Sequence, residues 1–64
     1  MDELTEISGV YIKETDNAFL FMIDNEEVWL PKSQTIISNP TILVSGEAAQ
    51  FEIPLWLAEE KELV

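Results

Sequence analysis

Apolar and polar positions alternate with a period of two along several short stretches of the chain, a spacing that predicts strands rather than helices. In residues 5–13 the side chains of Ile7, Val10, Tyr11 and Ile12 predict a first strand, with Gly9 as a bulge or a point of close approach. Glu14, Thr15, Asp16 and Asn17 follow as a polar turn. Residues 18–23, AFLFMI, form an unbroken apolar run too short for an ordinary helix, which predicts a central strand covered on both faces. Asp24, Asn25, Glu26 and Glu27 make the next turn, because Asp and Asn tolerate left-handed backbone and bond to it. A third strand over residues 28–30 points Val28 and Leu30 one way and Trp29 the other, and Pro31 ends its ladder.

Residues 35–38 and 41–45 are β-branched segments separated by Asn39 and Pro40, which predicts either one kinked strand or two strands. Ser45, Gly46 and Glu47 signal a turn, after which residues 50–53 alternate Phe51 and Ile53 inward with Glu52 outward. From Pro54 the pattern changes to helix formers, predicting about two turns of C-terminal helix with Pro54 at its first position. The expected fold is mainly β: a small antiparallel meander, open or closed into an SH3-like or OB-like barrel, with a short C-terminal helix. Residues 1–64 are read as a single domain.

Composition narrows the function classes. A hydrophobic content of 47% is too high for a disordered chain, so folding is expected despite a net charge of −10. Neither Cys nor His occurs, which removes disulfides, zinc fingers, thiol nucleophiles and imidazole bases. The core of so short a chain is small, and a homodimer that buries further apolar surface is expected. The acidic N-terminus and the lack of a long apolar run predict neither secretion signal nor membrane anchor, and a cytoplasmic location.

Three features invite a chemical reading. Asp24, Glu26 and Glu27 supply oxygen atoms close in sequence, but their spacing matches no calcium loop, and a solvated hairpin turn is the preferred reading. Lys32 beside Ser33 resembles serine–lysine chemistry, yet neighbours on an extended strand point to opposite faces. No pair among the thirteen acids is singled out for acid–base work. No enzyme, cofactor or metal is therefore predicted.

The acidity itself comes next, because three lysines and no arginine oppose those thirteen acids. Such a field repels nucleic-acid backbones and attracts a basic groove on another protein. Plain solubility explains the charge as well. Last come Trp29 and Trp56: one is expected in the core and the other partly exposed, with Trp29 at a partner surface. On the helix, Leu55, Leu57, Ala58 and Leu63 do not fit one narrow stripe, so some are expected to cover the core and others to meet a second subunit, with Glu59, Glu60 and Glu62 in solvent.

The segments Val28-Trp29-Leu30-Pro31-Lys32-Ser33-Gln34 and Ile53-Pro54-Leu55-Trp56-Leu57-Ala58-Glu59-Glu60-Lys61-Glu62-Leu63 together resemble very short proteins of bacteriophage and prophage genomes. In those, a "WLPKSQ" type segment precedes a closing "P-x-W-L-A-x-E-K-x-L" type segment. The resemblance covers about a quarter of the chain and does not reach residues 35–50. It implies an intracellular accessory protein that acts on host or phage machinery, with inhibition of a host defence protein or nuclease as one form of that action. The expectation is a non-enzymatic protein that binds a partner, with mimicry of nucleic-acid charge as one means, through Asp24, Glu26, Glu27, Trp29, Lys32, Trp56, Glu59 and Glu60. The alternative is a barrel module that stacks single-stranded nucleic acid on Tyr11 and Trp29 beside Lys32.

Overall fold

The computed structural model describes residues 3–39 and 41–64. Met1, Asp2 and Pro40 lie outside the described residues, and with Pro40 goes the kink expected at Asn39–Pro40. Five strands form one antiparallel sheet: β1 (Leu4–Glu14), β2 (Ala18–Ile23), β3 (Glu26–Pro31), β4 (Ile36–Asn39) and β5 (Ala48–Pro54). A 3-10 turn, Lys32–Gln34, joins β3 to β4, and helix α1 (Leu55–Glu60) follows β5. The strand order is β3-β2-β1-β5-β4. No ladder joins β3 to β4 among the described residues, so the sheet has two edges.

β1 rather than β2 is the central strand. It is long enough to pair with β2 through Val10–Glu14 on one side and with β5 through Leu4–Val10 on the other. β2 pairs on both edges too, and its continuous apolar run reflects side chains buried or half-buried on both of its faces. Its Phe19, Phe21 and Ile23 turn inward, while Leu20 is buried on the outer face between Lys13 of β1 and Trp29 of β3.

The inner face collects Ile7, Tyr11, Phe21, Ile23, Val28, Leu30, Ala49, Phe51 and Ile53 into one core, to which α1 adds Leu57 and Ala58. At its centre Phe21 and Phe51 stack with ring centroids 4.3 Å apart, and Tyr11 and Phe19 each meet Phe21 at 5.9 Å. Offset and edge-on pairs of this kind contribute beyond the area they bury. Gly9 serves close approach and not the bulge: a Cβ there would come within 2.8 Å of Ile23 Cγ1.

The β2–β3 turn is tighter than expected. Asp24 and Asn25 alone form it, both at positive φ, 51° and 67°. Two such residues make the mirror-image type I turn whose twist matches the flanking strands. Glu26 and Glu27 therefore begin β3 and do not belong to the turn.

Residues 41–45 form no strand. β1 is already occupied beside Tyr11, where Gly46 N–H donates to the Tyr11 carbonyl at 2.8 Å and Tyr11 N–H donates to the Glu47 carbonyl at 3.0 Å. Gly46, at φ 87°, lets residues 44–47 turn tightly enough to make these bonds. The Ser45 hydroxyl donates to the Ile12 carbonyl beside the register shift in β1, 2.6 Å away.

Helix α1 starts one residue later than expected, with Pro54 as the last residue of β5 and the helix N-cap. At its other end Glu62 sits at φ 60°, Glu62 N–H donates to the Glu59 carbonyl, and Leu63 N–H donates to the Ala58 carbonyl. That pair of bonds is the Schellman ending, with glutamate where glycine is usual. It turns Leu63 back onto the core. Leu55 is half-buried, so the helix commits Leu57, Ala58 and Leu63 inward and leaves Trp56 outside.

Candidate functional site

The eight candidate residues fall in three places. Asp24, Glu26, Glu27 and Trp29 share the β2–β3 hairpin. Lys32 lies beyond the other end of β3, and Trp56, Glu59 and Glu60 lie on α1.

On the hairpin, strand alternation puts Glu27 and Trp29 on the outer face and Glu26 in line with the inward Val28 and Leu30. Glu26 still reaches water because it stands next to the turn, beyond the edge of the core. The Trp29 indole is 42% exposed although its cross-strand neighbour Leu20 is only 3% exposed. Next in register on this face, Met22 is half-buried beside the exposed Val10 and Ala48, and Glu27 flanks Met22 on the other side. The outer face therefore carries an apolar strip from Trp29 to Ala48 with acids at its hairpin end.

Trp56 is 47% exposed, so neither tryptophan is in the core. Phenylalanine fills the place expected for one of them. Glu59 and Glu60 are exposed beside Trp56. A second pairing of acids, not legible from the sequence, stands on the outer face, where Glu6 of β1 is directly opposite Glu52 of β5. Like charges placed in this way destabilise a sheet.

Lys32 and Ser33 lie in the 3-10 turn and not on an extended strand. The Lys32 ammonium donates to Glu14 Oε2 and lies 5.2 Å from the centre of the Phe19 ring. Glu14 Oε1 accepts from the Tyr11 hydroxyl at 2.8 Å. This Tyr11–Glu14–Lys32 chain depends on an irregularity in β1. Residues three apart on a regular strand face opposite ways, but the pairing shifts between Tyr11 and Lys13, so both Tyr11 and Glu14 come to the inner side opposite Phe21 and Phe19. Tyr11 is buried and Trp29 is on the other face, so the trio required for base stacking is not assembled.

The network shifts both acids. Hydrogen bonds from Lys32 and Tyr11 hold the Glu14 carboxyl below its ordinary 4.5, outweighing its partial desolvation. Burial first, then the hydrogen bond to Glu14 and its negative charge, push the Tyr11 phenol above 10.0. A lowered folded-state value stabilises the protein above the unfolded value and the effect fades as pH falls through the folded one. A raised value stabilises below the unfolded one and fades as pH rises through the folded one. The network's contribution is thus full between about 4.5 and 10.0 and declines on both sides. Protonating the other acids relieves repulsion, so the acid limb is read as the difference between wild type and Glu14→Gln. The chain has a single tyrosine, and its absorbance titration is expected to move down toward 10.0 in Glu14→Gln without reaching it. An unmoved titration would show that the Tyr11–Glu14 bond is not made in solution.

A depression of about 250 Å³ lined by Ser8, Asn39, Ala48, Ala49 and Gln50 contains no ionisable side chain. Among the described residues no group of acids is arranged to hold a metal ion, and no helix is long and apolar enough to cross a membrane. Comparison with protein-family models, with curated proteins and with solved structures finds no match to this chain.

Proposed function

We propose that this chain is a non-enzymatic binding protein that docks on a basic surface of another protein through the outer face of its β2–β3 hairpin. The observation that carries this reading is Trp29, held half out of the sheet over a buried Leu20, with Glu27 on the same face and Asp24 and Glu26 at the tip. A rigid aromatic anchor inside an apolar strip, bordered by charge, has the make-up of an interface hot spot. Lys32–Glu14 is the one ion pair among the described residues, so the hairpin acids offer their charge to a partner. The resemblance of residues 28–34 and 53–63 to phage and prophage proteins supports an accessory role in the host cytoplasm. There the acidic face would cover the site that a nuclease or nucleic-acid-binding protein uses for its own ligand, by imitating phosphate charge.

A pull-down from bacterial lysate tests this. A nucleic-acid-binding protein is expected to be retained at low salt and released at high salt. Trp29→Ala should weaken that retention by roughly 30-fold or more, the scale of a hot-spot truncation of about 2 kcal/mol. Combined Asp24→Lys, Glu26→Lys and Glu27→Lys should abolish it, and Glu59→Lys with Glu60→Lys should not. Retention of a labelled single-stranded oligonucleotide by the pure protein would overturn the proposal in favour of stacking.

A further inference from the structure

The two edges of the sheet are built differently. β3 carries Glu26 and Glu27 at one end and Pro31 at the other, the charges and proline with which edge strands resist pairing with other chains. β4, Ile-Ile-Ser-Asn, carries neither; its only edge devices are its four-residue length and a shift of its pairing with β5 between Ile37 and Asn39, and no charged residue occurs anywhere in residues 33–46. In a chain with a net charge of −10 this is the one long uncharged stretch, and it coincides with an open edge. It is also where apolar side chains meet water: Ile36 is 54% exposed, and Ile42 and Val44, in the segment that leaves this edge, are 76% and 48% exposed.

We infer that β4 is a self-association edge, at which a second copy of this chain adds its own β4 antiparallel and extends the sheet across a two-fold axis. Main-chain hydrogen bonds supply the attraction in strand addition, and an isologous pairing needs only a self-complementary strand. Ile36, Ile37, Ser38 and Asn39 make such a strand, since no like charges meet when it faces itself. The charge distribution selects a second copy at this edge and disfavours pairing elsewhere. The acid nearest β4 by register is Glu52, opposite Ile36 on β5. In the paired sheet the two copies of Glu52 are three inter-strand spacings apart, roughly 14 Å, beyond the ~10 Å screening length at 0.1 M salt. Pairing through β3 in the same way would set Glu26 and Glu27 of each copy against Pro31 and Leu30 of the other, a ladder that charges both ends and that the proline, lacking an N–H, leaves incomplete. A basic partner gains nothing at an edge without charge. Four residues make a short ladder, so the dimer is expected to be weak and concentration-dependent.

Sedimentation equilibrium of the pure chain is the test. The apparent mass is expected to rise with concentration from 7.3 kDa toward twice that value, and to rise further as salt screens the remaining repulsion. Ile36→Lys should hold the protein at monomer mass, and Ile42→Lys should weaken the dimer; both sites are exposed, so both variants are expected to fold. Amide exchange at those β4 N–H groups that do not bond to β5 should slow with concentration in the wild type alone. A monomer mass at every concentration and salt, or a dimer that Ile36→Lys leaves intact, would overturn the inference. Association with a basic partner weakens with salt whereas this dimer strengthens, so failure of one proposal is distinguishable from failure of the other.

Discussion

Phe21→Ala is expected to lower the melting temperature by tens of degrees or to remove the cooperative transition altogether. A domain of this size is stable by about 3 to 10 kcal/mol, on the scale of 0.05 to 0.15 kcal/mol per residue. Removing a buried phenylalanine costs roughly 3 to 5 kcal/mol through lost transfer energy and the cavity left behind. Phe21 is wholly buried and touches Tyr11, Phe19 and Phe51, so its loss also takes away the partner of each of those rings. The surrounding strands have little freedom to collapse into the gap, because β2 is held by ladders on both sides. Each kcal/mol moves the melting temperature of so small a domain by about 4 to 8 °C. Thermal circular dichroism should therefore show a fall of tens of degrees, or no cooperative transition at all. Ile42→Ala, at a site 76% exposed, is the control and should move the midpoint by a few degrees at most. If the two variants melted alike, the aromatic stack would not be the centre of the core.

The difference between these two sites is only partly legible in the sequence. Alternation identifies Val28 and Leu30 against Trp29, and Phe51 and Ile53 against Glu52, because one face of each strand is buried and the period is fixed by the pleat. The turn at Asp24 and Asn25 is legible for the same local reason, since few residues accept positive φ. What depends on pairing is not legible. The sequence contains no mark that β1 takes ladders on both of its edges, and so the apolar run of β2 gives that strand the look of the central one. Residues 41–45 have strand composition but find no ladder, because the turn at 44–47 already bonds to the end of β1. By composition Glu14 is one more turn acid. Its role with Tyr11 and Lys32 exists only because the register of β1 slips by one residue. In the candidate interface, the outward direction of Trp29 follows from parity, whereas its place above Leu20 requires the cross-strand register.

Gly9→Ala is expected to destabilise the protein by about 1 to 3 kcal/mol, the usual range for overpacking, although alanine is in other respects the better residue. Replacing glycine by alanine restricts the unfolded chain and by itself would add roughly 0.4 to 1 kcal/mol of stability. The outcome is therefore decided by space. At Gly9 the added methyl would lie 2.8 Å from Ile23 Cγ1 and 3.1 Å from the Met22 carbonyl oxygen. Neither neighbour is a flexible tip: Cγ1 is next to the root of a buried side chain, and the carbonyl belongs to the backbone of an interior strand. β1 and β2 must separate locally or Ile23 must leave its position in the core. Gly46→Ala makes the contrast, because nothing stands within 4 Å of a methyl there and any cost comes from the backbone at φ 87°. A double-mutant cycle distinguishes the two causes. Ile23→Ala removes the atom that the new methyl would strike, so Gly9→Ala should cost less on that background than in the wild type, whereas Gly46→Ala should cost the same on both. Urea titrations in sucrose, which strengthens the folded state, keep all variants in measurable range. Equal costs for Gly9→Ala on the two backgrounds would place the strain elsewhere than at the contact between β1 and β2.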